Sequence, residues 1–232
     1  MSFEVERISN CTLYRGEMEA VLPTLASIDA IVTDPPYGIQ TSGYWPGCSE
    51  RWASRVPTDY GKVQWDEIPP DGDTIRALRA CSKYQIIFGG NYFEGLGPTS
   101  CWLVWDKEAI GAFADCELAW TNLKQTVRRF RYLWSGFRKA KPERRYHPTQ
   151  KPIEVMVWCL QQLPNDCQTI CDPYMGVGST GIAVIERGWR FIGIEKETRY
   201  FDIACRRLTE ASSQLDLFSQ GQFPSPRQEV LL

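Results

Sequence analysis

The sequence has no run of 18 apolar residues, so no membrane-spanning helix is expected. It has no C-x-x-C pair, and its nine cysteines are odd in number. In a cytoplasmic chain they read as reduced, mostly buried thiols rather than a disulfide or zinc framework, and no metal site is expected. Histidine occurs once, at 147. The opening MSFEVERISN carries acids where an export signal needs a basic stretch and then an apolar one, so the expected location is the cytoplasm. Internal repeats and low-complexity tracts are absent. What is present is an ordinary globular balance: 232 residues, 43% hydrophobic and 23% charged, enough for one large domain. A chain of this length buries roughly 70% of the surface it would expose unfolded, so its core needs no covalent staples.

A net charge of −2 conceals an asymmetry. Between Lys124 and Lys151 stand Arg128, Arg129, Arg131, Arg138, Lys139, Lys141, Arg144 and Arg145, against the single acid Glu143. This stretch carries +9 and the remainder −11, which suggests a polyanion met on one face. Phe130, Tyr132, Trp134, Phe137 and Tyr146 are interleaved with the cations, a mixture that can grip phosphates and stack bases. The alternative is a solvated helix face with scattered core aromatics.

Strands are expected at 11–14, 28–33, 85–88, 102–105, 116–120, 169–171 and 190–194. Helices are expected at 16–25, 73–83, 152–163, 179–187 and 198–211. Their alternation predicts an α/β layered fold with a mainly parallel sheet. Residues 39–67, rich in Gly, Ser, Pro and Trp, read as a long loop, and such loops in compact domains are usually functional. Residues 1–211 are taken as the domain and 212–232 as a flexible tail.

Two predicted strand ends carry chemistry. In Asp172-Pro173-Tyr174-Met175-Gly176-Val177-Gly178 a strand delivers an acid, and glycines then allow a tight turn against a ligand before a helix opens near Ser179. Some twenty residues on, the next strand ends in Glu195, where a carboxylate can accept from two ribose hydroxyls. No G-x-G-x-x-G and no Walker lysine follow, so a nucleoside without phosphates fits better than a dinucleotide. The other end, Asp34-Pro35-Pro36-Tyr37, is more specific. Its prolines fix the backbone direction, so the Asp34 carboxylate and the Pro35 carbonyl can converge on one point. Two adjacent acceptors match an exocyclic amino group, and Tyr37 offers a face for a base ring.

Asp34-Pro35-Pro36-Tyr37 resembles the catalytic signature of the amino-directed DNA methyltransferases, which methylate adenine N6 or cytosine N4. His147-Pro148-Thr149-Gln150-Lys151-Pro152 and the 172–178 turn resemble that family's cofactor-side signatures. The catalytic motif comes first and the cofactor motif second, as in the circularly permuted β subgroup. The resemblance implies a Rossmann-like methyltransferase fold, S-adenosylmethionine as cofactor (S-adenosylhomocysteine as product) and double-stranded DNA as substrate. It makes Asp34, Pro35, Pro36 and Tyr37 catalytic. It assigns the cofactor to Glu17, Asp34, His147, Pro148, Thr149, Lys151, Asp172, Pro173, Tyr174, Gly176, Gly178, Thr180 and Glu195, with residues 147–151 closing over its methionine carboxylate. The family usually has Phe where this chain has Tyr174, and Gly-Asp where it has Gly16-Glu17. Cytosine-N4 members more often carry Ser at the position of Asp34, which tilts the reading towards adenine.

DNA contact is expected from Tyr44, Trp45, Arg51, Trp52 and Arg55 in the long loop and from the cations between Lys124 and Arg145. Residues 123–146 are short for a recognition domain, so a homodimer on DNA is expected. Gln214-Leu-Asp-Leu-Phe218 resembles the peptide by which DNA-processing proteins dock on a sliding clamp; the alternative is a last helical turn packed on the core. A DNA-binding regulator that keeps the fold without turnover is the reading from another class.

Overall fold

The computed structural model describes residues 3–39, 68–108, 114–135, 138–147 and 149–220. Pro148 and all but the first residue of the 39–67 loop lie outside them, including Tyr44, Trp45, Arg51, Trp52 and Arg55.

In chain order the elements are β1 (Glu4–Ile8), β2 (Cys11–Arg15), α1 (Met18–Val21), β3 (Ile28–Thr33), α2 (Gly72–Ala80), β4 (Ser82–Phe88), β5 (Trp102–Asp106) and β6 (Cys116–Thr121). Then come β7 (Arg128–Arg131), β8 (Trp134–Ser135), β9 (Arg138–Lys139), α3 (Ile153–Gln161), β10 (Thr169–Asp172), α4 (Ser179–Ile185), β11 (Arg190–Glu195) and α5 (Thr198–Gln220). Among the described residues, nine strands form one sheet in the order β1-β2-β11-β10-β3-β4-β6-β5-β7. The five strands from β2 to β4 in that order run parallel, and β6 enters antiparallel.

Alternation along the strands splits the core between two faces. Ala30, Val32, Ile86 and Phe88 pack with Val155, Ile182 and Leu208 of α3, α4 and α5 on one side. Ile31 and Ile87 pack with Met18, Val21, Ile75 and Leu78 of α1 and α2 on the other. Helices on both faces of a mainly parallel sheet make this the α/β arrangement that the sequence pattern predicts.

The structure corrects four local readings, the first being the basic stretch, where no strand is expected and where β7, β8 and β9 form instead of a helix face. Strand β1 is not among the expected elements: its EVERI sequence is exposed at four of five positions, as suits a charged edge strand, and so lacks a buried stripe. Helix α3 starts at Ile153, one residue later than expected, with Pro152 as its cap residue, and Glu143 Oε2 accepts from the Ile153 N–H at 3.4 Å. Helix α5 does not end at Ala211 but runs to Gln220, because Ser212 is buried and Leu215 packs on the core. The 214–218 segment is therefore helical, and its Leu215 side chain is part of the fold. None of the described helices is long and apolar enough to cross a membrane.

Candidate active site

After β3 the chain moves outward to β4, and after β10 it moves outward to β11 on the other side. The strand order therefore reverses between β10 and β3. In such sheets the crevice for ligands opens outside the carboxyl ends of the two strands at the reversal. Those ends carry Asp172 and Asp34. They are tied together, since the Thr33 hydroxyl donates to Asp172 Oδ1 at 2.7 Å.

Asp34 is the centre of a polar cluster. The Tyr37 hydroxyl donates to Asp34 Oδ1 at 2.5 Å, and the Lys151 ammonium pairs with Oδ2. Lys151 Nζ also lies 3.0 Å from Glu117 Oε2 and 3.3 Å from the Tyr37 hydroxyl, to which it donates. Lys107 pairs with the second Glu117 oxygen. The Lys151 side chain is only 7% exposed, and its ammonium sits 5.0 Å from the Phe88 ring centre. Burial pushes the Asp34 carboxyl up and Lys151 pulls it down, with burial prevailing. Burial also raises Tyr37, so its hydroxyl remains a donor.

Tyr37 is held by ring packing. It stacks on Tyr92 at 5.1 Å between centroids and meets Phe93 edge-on at 6.1 Å. Its other neighbour is Gly89, at φ +68°, where any Cβ would collide with the Tyr37 ring. Gly89 follows β4 directly, so the strand that flanks β3 seats the ring.

On the β10 side, Asp172 accepts from Thr33, from the Thr180 hydroxyl at 2.6 Å and from the Tyr174 N–H at 3.1 Å. Its carboxylate is thus engaged in shaping the turn, and burial raises its pKa to about 6. Gly176 and Gly178 adopt φ of +52° and +81°, which favour glycine. The space at Gly176 where a Cβ would sit is open. Glu195, at the end of β11, takes the Glu197 N–H at 2.8 Å, and burial raises it to about 7 against the pull of the Glu197 and Gly176 N–H groups. Beside the turn, the buried Ser179 Oγ has no hydrogen-bond partner among the described residues. An orphaned hydroxyl, an open glycine face and a desolvated acid fit a small polar ligand with hydroxyl groups. Glu17 precedes α1, mostly exposed, 3.9 Å from Lys196, and Tyr174 is raised first by burial and then by Glu19, Glu17 and Asp71.

The 143–151 segment divides between both sides. His147 is buried against the Tyr200 ring at 4.5 Å, and its Nδ1 accepts from the Thr149 N–H at 3.2 Å. Burial, then Lys151, Arg145 and Arg199, lowers it to about 3, so it is neutral and packed. Lys151, expected at the cofactor's carboxylate, pairs with Asp34 and Glu117. The backbone turns between His147 and Gln150, whose N–H returns to the His147 carbonyl at 3.2 Å.

The basic stretch forms β7, which lies parallel beside β5 at the sheet edge, and the small β8–β9 ladder. Lys124, Arg128, Arg129 and Arg144 are exposed. Others have partners within the fold: Arg131 with Asp106 at 3.2 Å, Lys141 with Glu154 at 3.0 Å, and Lys139 with the Glu143 carbonyl. Arg145 lies over the Trp134 ring at 5.2 Å. Arg138 belongs to β9. Sequence reading misses Glu117 and Lys107, which no strand-end motif contains.

Residues 94–206 match the model of a DNA methylase family. The chain is 26% identical over 250 residues to the type II methyltransferase M.HinfI of Haemophilus influenzae, covering 86% of this chain and 68% of that protein. Its fold is similar to that in the crystal structure of an M1.HpyAVI–SAM complex, with TM-score 0.55, 20% identity and coverage of 85% of this chain and 100% of that one. It is also similar to the cytosine-N4-specific PvuII DNA methyltransferase, with TM-score 0.54, 13% identity and coverage of 90% and 93%.

Proposed function

We propose that this chain, whose residues 94–206 match a DNA methylase family model and which is 26% identical to M.HinfI, is a methyltransferase of that kind and moves a methyl group from S-adenosylmethionine to the exocyclic N6 of a flipped adenine in duplex DNA. The observation that carries this reading is the Thr33–Asp172 bond, which brings the Asp34 acceptor and the glycine turn to one crevice.

The residues fit the cofactor. Glu195 would take the ribose hydroxyls, Gly176, Gly178 and Ser179 would line the methionine half, and Glu17 and Tyr174 would border the adenine. When bound, S-adenosylmethionine supplies a methyl already activated by its sulfonium. What the chain adds is acceptor geometry, packing and exclusion of water. In-line alignment of donor and acceptor is worth as much as ~7–11 kcal/mol.

The amine on an aromatic ring is a poor nucleophile because its lone pair is delocalised. Hydrogen bonds from its two hydrogens to Asp34 and the Pro35 carbonyl favour a tetrahedral nitrogen with a localised pair. Asp34 keeps acceptor capacity for this, since a carboxylate offers about four lone-pair sites and two are occupied. Flipping the base out of the duplex costs a few kcal/mol. Stacking on the aromatic group around Tyr37 returns about 1–3 kcal/mol of that.

Cytosine N4 is the second reading, favoured by the fold's likeness to the PvuII enzyme. Base-resolution modification calling on DNA from cells that express the chain separates the two. N6-methyladenine within one sequence context supports the first reading, N4-methylcytosine replaces it with the second, and unmodified DNA removes both.

A further inference from the structure

Asp34, Lys151, Glu117 and Lys107 form a row of alternating charge at the rim of the crevice. Lys151 pairs with Asp34 Oδ2 and with Glu117 Oε2 (3.0 Å), and Lys107 pairs with Glu117 Oε1. Their side chains are between 7% and 21% exposed, so water screens these charges weakly. Glu117 and Lys107 stand on neighbouring antiparallel strands, β6 and the exit of β5, outside every motif that meets base or cofactor. Among the described residues, other ionisable groups that face the row are Tyr37 on Asp34, Asp172 behind it, and the buried Cys159 thiol and neutral His147 near Lys151.

Resting on the methyl-transfer reading, we propose that Glu117, clamped by Lys107, is a positioning residue. It fixes where the Lys151 ammonium sits between two carboxylates, and so how firmly that ammonium holds the Asp34 oxygen beside the incoming amine. Lys151 already sits closer to Asp34 than to Glu117, so an ammonium with Asp34 as its only carboxylate would hold it more firmly still and compete further with the substrate amine. An ammonium drawn away to Glu117 would leave Asp34 a buried, uncompensated acid that takes up a proton. Glu117 sets the division, and Lys107 limits the pull of Glu117 by neutralising its far oxygen.

The two partners of this clamp therefore act with opposite sign. Glu117→Gln removes a negative charge near Asp34 and gives Lys151 to it alone, so Asp34 ionises at lower pH. Lys107→Gln strengthens the hold of Glu117 on Lys151, so Asp34 ionises at higher pH. Two readouts follow this: the acidic limb of single-turnover methyl transfer from tritiated S-adenosylmethionine to duplex DNA, and the carboxyl carbon-13 titration of aspartate-labelled protein, with the Asp34 resonance assigned through Asp34→Asn. Glu117→Gln is expected to move both down and Lys107→Gln to move both up, each by about 1 pH unit. Glu117→Asp, which keeps the charge, is expected to stay near wild type. Shifts in the same direction, or a limb that neither variant moves, overturn the proposal. If Glu117→Gln does not fold, a wild-type limb in Lys107→Gln overturns it alone. A wild-type chain that methylates no DNA removes the methyl-transfer reading instead, and the carboxyl titration still decides the role of Glu117.

Discussion

Thr33 and Asp172 lie on different strands, 139 positions apart in sequence, and the hydroxyl of one donates to the carboxylate of the other at 2.7 Å. The bond crosses the point where strand order reverses, so it locks the loop that carries Asp34 against the 172–178 turn. Thr33→Val keeps the shape and removes the donor. A hydrogen bond to a charged group is worth about 1.5–3 kcal/mol. Because Asp172 ionises near pH 6, the loss of stability is expected to be larger at pH 8 than at pH 5. Urea unfolding at both values checks this, and an equal loss at both would show that the ionised carboxylate is not the group being held.

Asp34→Asn leaves a side chain of the same shape that accepts on one atom only. Methyl transfer is expected to fall ~100-fold or more, comparable to removing a well-placed electrostatic contact in other active sites. Cofactor affinity is expected to change little, because Glu195, Ser179 and the glycine turn are untouched. Lys151 retains Glu117, so the fold is expected to survive. Turnover assays beside calorimetric titration of the cofactor separate the two effects, and near wild-type turnover would remove Asp34 from the mechanism.

Glu195 gives a pH dependence with a definite sign. Its folded pKa, about 7, lies above that of an unfolded glutamate, so without ligand the folded chain binds a proton more tightly than the unfolded one. The resulting stability is full below the ordinary glutamate range and is lost as pH rises through about 7. Cofactor binding runs the other way, because only the carboxylate accepts from two ribose hydroxyls. Affinity is therefore expected to weaken as pH falls below about 7, and Glu195→Gln is expected to bind weakly and with a flatter profile. Titration calorimetry from pH 5.5 to 8.5 on both proteins measures this.

These sites differ in how far the sequence reveals them. Asp34 and Tyr37 are legible because two prolines restrict the backbone between them, so local sequence alone defines the acceptor. The glycine turn is legible for the same kind of reason: Gly176 and Gly178 take φ that other residues avoid. Motif reading treats 147–152 as one block and so does not show that the chain turns inside it, which sets the Lys151 ammonium on Asp34. Glu117 sits in CELAWT, which reads as an ordinary half-buried strand, and its partners lie 10 residues before it and 34 after it. Only the register of β5 on β6 and the return of the 143–151 segment bring them together. The end of α5 escapes pattern reading because its last nine residues are mostly polar, and one buried serine and one packed leucine leave little periodic signal.

The exposed cations give a prediction about binding alone. On duplex DNA, each phosphate that the protein ceases to neutralise reduces the slope of log affinity against log salt by about 0.9. Arg128 and Arg129 are exposed on the edge strand β7, so replacing both with Gln is expected to reduce the slope by about 2. Lys141→Gln is expected to change it less, since Glu154 already holds that ammonium at 3.0 Å. Fluorescence anisotropy with a labelled duplex over a salt series checks both. Equal slopes for wild type and Arg128→Gln/Arg129→Gln would move the DNA face away from β7.

Gly89 tests the ring of Tyr37 without touching it. A methyl at this position collides with that ring, and φ of +68° strains any other residue. The ring also stacks on Tyr92 and carries the hydroxyl that donates to Asp34, so a displaced ring gives up a base platform and a hydrogen bond to the acceptor together. Gly89→Ala is therefore expected to lower methyl transfer about as far as Tyr37→Ala does. The double variant is expected to be little worse than either single one, because both remove the same seated ring. Additive losses would mean that Gly89 serves the fold and not the ring. Stability separates the cases further: backbone strain persists in Gly89→Ala/Tyr37→Ala, whereas the collision does not. Part of the stability that Gly89→Ala forfeits is thus expected to return in the double variant, and thermal unfolding of the three proteins measures how much.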